Sequence, residues 1–141
     1  MSGGYSFKGS YSVYSLFIGI ATDEVYLMRA ECNARLGNKD AALNDLNTLM
    51  VTRWSTGTFI PFTAATSQDA LNIILQERRK ELIFRNLRWM DIKRLNKDGA
   101  NITLTRIIGG QTYTLPPNDN RFALPLPADI VKMTGMPQNP F

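Results

Sequence analysis

The sequence predicts a mainly α-helical fold with one small β-hairpin and an irregular, proline-rich C-terminal tail. Apolar residues recur every three to four positions in segments 23–53 and 67–95, which is typical of amphipathic helices. Within segment 102–115, two alternating runs flank a Gly-Gly pair, a strong hairpin signal. Most of the seven prolines follow residue 115. Segment 116–141 is therefore expected to lack regular structure.

The length and composition predict a single domain over residues 1–141. A chain of 141 residues is about the size of one domain and can bury a sizeable core. Hydrophobic residues make up 44% and charged residues 20%, as in ordinary globular proteins. Residues 1–22 are rich in Gly, Ser and Tyr and are expected to form an extended lead-in.

Segment 23–53 predicts two antiparallel helices that resemble one tetratricopeptide-type pair. Four apolar residues form the predicted inner stripe of the first helix: Val25, Met28, Cys32 and Leu36. Gly37 can end this helix in the left-handed conformation. Because the link to the second helix is short, the two helices are expected to be neighbours.

A loop over residues 54–66 leads to a long third helix. Thr66 and Asp69 have the spacing of a capping box, so the helix is expected to begin there. Its apolar positions continue to Leu95, with a possible kink near Asn86. The sequence therefore predicts a helix over residues 67–95.

The stretch 77–94 within this helix contains seven basic and three acidic residues, which accounts for the whole net charge of +4. Arg78 and Arg79 lie between Leu75 and Leu82, which share one helix face. At least one of these arginines must therefore lie beside the apolar stripe. Burying it would require a carboxylate partner. The candidates are Glu31, Glu81 and Asp91.

The same stretch shows little sign of nucleic-acid binding. Such a surface displays unpaired basic residues and exposed aromatic rings. Here Trp89 instead falls on the apolar stripe. We interpret the helix as a structural element, with Arg78, Glu81, Trp89, Asp91 and Arg94 as a packed, ion-paired scaffold.

Composition argues against an enzyme. The chain has no histidine and one cysteine, Cys32, so a histidine-dependent triad, a histidine-containing zinc site and an internal disulfide are excluded. No glycine-rich phosphate loop is present. Cations surround the carboxylates, which favours ion pairing over acid–base chemistry. We predict no catalysis, no metal and no cofactor.

The charged stretch "QERRKELIFRNLRWMDIKR" (76–94) resembles the characteristic helix of the SusD/RagB family. "DEVYLMRAECNARLGNKDAALNDLN" (23–47) is similar to the helix pair that precedes this helix in the family. "ALPLPADI" (123–130) and "PQNP" (137–140) resemble its closing segments. The family usually has an acidic residue followed by glycine where this chain has Arg85 and Asn86.

The resemblance implies part of a nutrient-binding lipoprotein on the outer surface of a Gram-negative outer membrane. Family members bind a glycan or another nutrient and deliver it to a SusC-like TonB-dependent transporter. They are several times longer and carry an N-terminal lipidation cysteine that this chain lacks. The chain is therefore expected to correspond to the C-terminal portion. Any membrane association would depend on the lipid anchor.

Sugar sites use aromatic faces together with amides or charges. Trp54, Phe59, Phe62 and Tyr113 are the aromatic residues outside the predicted helices that suit such a role. Packing roles are expected for most of them. Trp54 is the single candidate ligand contact, and the ligand-binding residues are otherwise unassigned.

The alternative function is a tetratricopeptide-like module that binds a protein and no nutrient of its own. Segment 23–53 would supply the binding surface. Repeat stacking normally needs about three units, and only one helix pair is predicted here. Both functions could coexist if the helical part contacts the transporter.

Overall fold

The computed structural model describes residues 19–140, which form five α-helices, two short 3-10 helices and one hairpin. The helices are α1 (Thr22–Arg35), α2 (Lys39–Met50), α3 (Ser67–Glu81), α4 (Arg88–Lys97) and α5 (Ala128–Thr134). The strands are β1 (Leu104–Ile108) and β2 (Gln111–Leu115). The predicted mainly α-helical fold with a small hairpin is confirmed. Nearly all of the expected lead-in, residues 1–18, lies outside the described part.

The chain divides into two compact units, Met1–Arg88 and Trp89–Phe141. Helices α1, α2 and α3 belong to the first unit. The second unit contains α4 from Trp89 onward, the hairpin and α5. The prediction of a single domain stays a prediction.

The core of the first unit is built where α1 contacts both α2 and α3. Leu27, Leu46 and Ile74, one from each helix, are completely buried in it. Small side chains, such as Ala30, let the helices approach closely. The predicted helix pair is thus present, and α3 packs against it.

The predicted inner stripe of α1 is wrong: Val25, Met28, Cys32 and Leu36 are exposed. The buried face instead contains Leu27, two alanines and three acidic residues, which are Asp23, Glu24 and Glu31. A hydrophobic pattern does not reveal a face that contains ionised groups. Such groups can be buried when cationic partners lie opposite them.

The predicted continuous helix over residues 67–95 is interrupted. Thr66 and Asp69 form the expected capping box at its start. Helix α3 then ends at Glu81, and α4 begins at Arg88. Between them, Phe84 and Asn86 have φ values of 60° and 59°. Left-handed residues cannot continue a right-handed helix, so the expected kink is a complete break.

Asn86 offers a direct test of this break. Replacing Asn86 with valine should lower the free energy of unfolding by about 1–2 kcal/mol, because a β-branched residue is strained at positive φ. The matched variant Asn86→Gly, which tolerates this conformation, should stay within about 0.5 kcal/mol of the parent. Urea denaturation measures both. Equal stability of the two variants would show that residue 86 does not need the left-handed conformation.

The hairpin follows the prediction closely. Leu104 pairs with Leu115 at its open end, and Ile108 pairs with Gln111 beside the turn. Gly109 and Gly110 both have positive φ, as a two-residue turn of this type requires. The strands occupy the central part of the predicted segment 102–115.

The C-terminal segment 116–141 is more regular than predicted, because it contains a 3-10 helix (Asn120–Phe122) and α5. Pro127 directly precedes α5, and Gly135 ends it with φ 69°. Proline is compatible with a helix start, where a missing N–H costs little. Counting prolines as helix breakers therefore concealed this helix. The side chain of Gln138, which follows α5, forms two hydrogen bonds of 2.7 and 2.9 Å with the backbone of Leu126, which precedes α5.

Candidate functional site

Trp54, the candidate ligand contact, lies at the start of the loop that follows α2. Its side chain remains 53% exposed, although its ring centroid lies 6.1 Å from that of Phe59. Phe59 in turn contacts Phe62, and both pack against the core. The two phenylalanines are therefore packing residues, whereas Trp54 presents part of its ring to solvent.

The loop that carries Trp54 is held at a defined position. Asn47 on α2 donates to the carbonyl of Phe62 at 3.0 Å and accepts from its N–H at 2.8 Å. Thr58 closes a local turn by donating from its backbone and its hydroxyl to the carbonyl of Ser55, at 3.0 and 2.8 Å. A preorganised loop reduces the entropy lost when a ligand stacks on the ring.

The charged residue Arg53 directly precedes Trp54 in the sequence. Arg53 donates from Nε and Nη2 to Oε1 of Glu81, at 2.8 and 2.6 Å. This pair connects the 3-10 helix that follows α2 (Val51–Arg53) to the end of α3. The loop thus carries an exposed aromatic ring directly after a residue in an ion pair, and sugar sites combine apolar faces with polar groups.

Arg78 and Arg85 form a buried ionic cluster with the start of α1. Arg78 is 6% exposed, and its Nη2 lies 3.9 Å from Oε1 of Glu24. Arg85 is 4% exposed, and its Nη1 lies 3.4 Å from Oδ2 of Asp23. Its Nη2 lies 3.7 Å from Glu24 and donates to the carbonyl of Gly19 at 2.6 Å. The cluster joins the first turn of α1 to α3 and the segment after it.

A carboxylate lies near the buried Arg78, as the sequence predicts. Glu24, at 3.9 Å from Arg78, was not among the predicted carboxylates. Glu81, which was predicted, binds Arg53. Glu31 is buried on α1 and accepts from Arg35 at 2.9 Å.

Trp89, Asp91 and Arg94 belong to the second unit. The ring of Trp89 lies 4.9 Å from that of Phe122, and its Nε1 donates to the Phe122 carbonyl at 3.3 Å. Arg94 donates from Nε to Asp91 at 2.9 Å, one turn earlier on α4. The contacts described for the five predicted scaffold residues fall into four sets, two in the first unit and two in the second, and their scaffold role stays a prediction.

A hollow of about 260 Å³ lies in the second unit between α4 and the segment that follows the hairpin. Buried Asn96 organises one wall by donating to the Ile102 carbonyl at 3.0 Å and accepting from its N–H at 2.6 Å. The backbone carbonyl of Asn96 accepts a hydrogen bond from Nδ2 of Asn118 at 3.4 Å. The hollow combines polar and charged residues with an apolar surface, and it was not predicted from the sequence.

Asp119, which also lines this hollow, is neutralised by Arg121. Two side-chain hydrogen bonds of 2.8 Å join the carboxylate to Nε and Nη2 of Arg121. These bonds, together with one from the Arg121 backbone N–H, lower the pKa of Asp119 to about 2 and raise the pKa of Arg121. Asp119 is therefore ionised and paired at neutral pH.

Residues 19–140 contain no group of three or more His, Cys, Asp or Glu side chains arranged to hold a metal ion. Within the same residues, no helix combines the length and the apolar character that crossing a membrane would require.

Sequence reasoning missed Arg85, Asp23 and Glu24 as an ionic cluster. From the sequence, Asp23 and Glu24 indicate only a pair of acidic residues at the helix start, where they suit the positive end of the helix dipole. The available signal was that both acidic residues fall on the same helix face as Leu27. The pairing with Arg85 spans 62 positions in sequence, and no local pattern predicts such a contact.

Two solved structures are similar to this chain. It shares 23% identity and a TM-score of 0.54 with the crystal structure of a SusD-like protein from Bacteroides fragilis, covering 83% of this chain and 24% of that one. It shares 33% identity and a TM-score of 0.48 with a SusD-like carbohydrate binding protein from Bacteroides vulgatus, covering 69% of this chain and 21% of that one. The first likeness shows the fold. Curated protein sequences give no significant match.

The chain thus spans about a quarter of the length of these solved structures. The sequence profile of the SusD family matches residues 22–141, which include every helix and both strands described above. The chain therefore belongs to the SusD family.

Proposed function

We propose that this chain is part of a cell-surface protein that binds a glycan and delivers it to a SusC-like TonB-dependent transporter in the outer membrane. The observation that carries this proposal is the family match over residues 22–141. The description of the Bacteroides vulgatus relative as a carbohydrate binding protein supports the glycan as the ligand class. Anchoring at the outer membrane surface through a lipid is part of the same proposal.

The activity proposed is binding without chemical conversion. The chain has no histidine. Glu81 forms an ion pair with Arg53, the residue that precedes Trp54. An ion pair of this kind is a structural contact and gives no sign of acid–base chemistry.

Trp54 is the residue that we assign to ligand contact. It combines an exposed ring, a loop fixed by Asn47 and a neighbouring Arg53–Glu81 pair. The ring face can stack on the C–H groups of a sugar, while charged groups can bind hydroxyls. Phe59 supports the ring from one side.

The test uses intrinsic fluorescence in a Trp89→Phe background, where Trp54 is the remaining tryptophan. Neutral oligosaccharides of starch, xylan and galactan type are titrated against the protein. At least one should shift the emission of Trp54. Calorimetry should then show about tenfold weaker binding for Trp54→Ala, since tenfold corresponds to about 1.4 kcal/mol.

Phe62→Leu is the matched control, because it alters a packing aromatic in the same loop and should leave affinity largely unchanged. If no oligosaccharide binds, or if Trp54→Ala binds as tightly as the parent, the assignment of ligand contact to this part of the protein is wrong.

A second candidate function is protein–protein interaction through the helix pair. The observation that favours it is the exposed apolar stripe of α1, in which Val25, Met28 and Leu36 are each about half exposed or more. A chain that binds none of the oligosaccharides and yet co-purifies with a SusC-like transporter would support this function over the first.

A further inference from the structure

The hollow of the second unit combines charged and amide side chains with an apolar surface. Its lining consists of Lys93, Asn96, Lys97, Asn118, Asp119, Asn120, Phe122 and Ala123. Ligand pockets commonly measure about 300–1,000 Å³. At about 260 Å³, this hollow suits a single ring-sized group.

The charge of the hollow is positive. Lys93 and Lys97 lie four residues apart on α4, so both project from one helix face. Both are exposed, and neither forms an ion pair with a carboxylate in the described range 19–140. The carboxylate of Asp119 is already bound through two hydrogen bonds to Arg121. Two ammonium groups are therefore available to a ligand and the local carboxylate is not.

Neutral groups complete the lining. Asn118 and Asn120 carry amides that can both donate and accept hydrogen bonds. Phe122 is 5% exposed and provides an apolar base, held in place by its contact with Trp89. Amides suit sugar hydroxyls, and an apolar surface suits the C–H face of a ring.

We propose that this hollow binds the carboxylate-bearing ring of an acidic sugar, such as a hexuronate, with Lys93 and Lys97 facing the carboxylate and the asparagine amides facing the hydroxyls. This inference rests on the glycan-binding function proposed above and names the ligand class. The two lysines are specificity-determining residues: they favour a uronate over the neutral sugar of the same shape.

The experiment compares digalacturonate with its neutral counterpart galactobiose by NMR titration of the whole chain. Digalacturonate should shift the amide signals of Lys93, Lys97 and Asn118, and galactobiose should bind there about tenfold more weakly. The double variant Lys93→Gln/Lys97→Gln should lose about tenfold in affinity for digalacturonate. Lys132→Gln, an exposed lysine on α5, is the matched control and should bind as the parent does. Thermal melting confirms that the variants are folded.

Equal binding of both sugars, or full affinity in the double lysine variant, would overturn the assignment. Displacement by equimolar inorganic sulfate would reduce the site to a general anion site and overturn it as well. Stronger binding of a tri-aspartate peptide would identify a peptide ligand instead. Trp54-dependent binding of a neutral oligosaccharide would persist if this inference alone fails. If the protein binds none of the sugars, neutral or acidic, the proposed glycan-binding function itself is wrong.

Discussion

Replacing Arg85 with alanine is expected to lower the free energy of unfolding by about 3–5 kcal/mol, the usual cost of removing one partner of a buried ion pair. Asp23 and Glu24 are each 8% exposed and would stay buried after the change. The carbonyl of Gly19 would also lose the donor that lies 2.6 Å away. Urea denaturation followed by circular dichroism measures the loss.

Arg79→Ala is the matched control, because Arg79 is an exposed arginine on α3. Its stability should stay within about 0.5 kcal/mol of the parent. Arg78→Ala should destabilise in the same direction as Arg85→Ala, since Arg78 also faces Glu24. A loss below about 1 kcal/mol for Arg85→Ala would mean that the cluster is not a buried ionic contact.

The cluster also predicts that an acidic residue would not fit at position 85 of this chain. Arg85→Glu would bring a third carboxylate close to Asp23 and Glu24, which lie 3.4 and 3.7 Å from the guanidinium. Like charges in a buried site repel strongly.

Replacing Trp89 with alanine is expected to lower the free energy of unfolding by about 2–3 kcal/mol, somewhat less than for a fully buried aromatic residue. The change removes the contact with the Phe122 ring and the hydrogen bond to the Phe122 carbonyl. Phe122, which is 5% exposed, would become more accessible to solvent. Thermal melting and the chemical shifts of the Phe122 ring measure the effect.

Met90→Ala is the control, because Met90 is the next residue on α4 and is 57% exposed. It should change stability by less than about 0.5 kcal/mol. If Arg78→Ala and Trp89→Ala both leave thermal stability unchanged, the packed, ion-paired scaffold hypothesis is wrong.

Local chemistry made several features predictable from the sequence. The capping box of Thr66 and Asp69 satisfies backbone groups within one turn, so its residues and spacing are sufficient evidence. Gly109 and Gly110 determine the hairpin because few other residues adopt two consecutive positive φ angles. Gly37, with φ 83°, likewise ends the first helix as expected.

The candidate site was harder to predict from the sequence. Trp54 could be proposed from its residue type and loop position. Its exposure, however, depends on how Asn47 and Phe59 hold the loop. The hollow near Lys93 and Lys97 depends on the folding of segment 118–123 against α4. Neither arrangement follows from the spacing of residues along one element.

The sequence by itself determined the helical class of the protein, its hairpin and its family resemblance, because periodicity, turn chemistry and residue order are properties of short segments. Only the tertiary structure decided which face of α1 is buried, where the third helix breaks and which carboxylates meet Arg78 and Arg85. Burial of a charge depends on the group opposite it. For Asp23 that group is Arg85, which lies 62 positions later in the sequence. Hydrophobic periodicity therefore predicted the wrong buried face of α1. The acidic face is buried instead, because ion pairing compensates the cost of burying its charges.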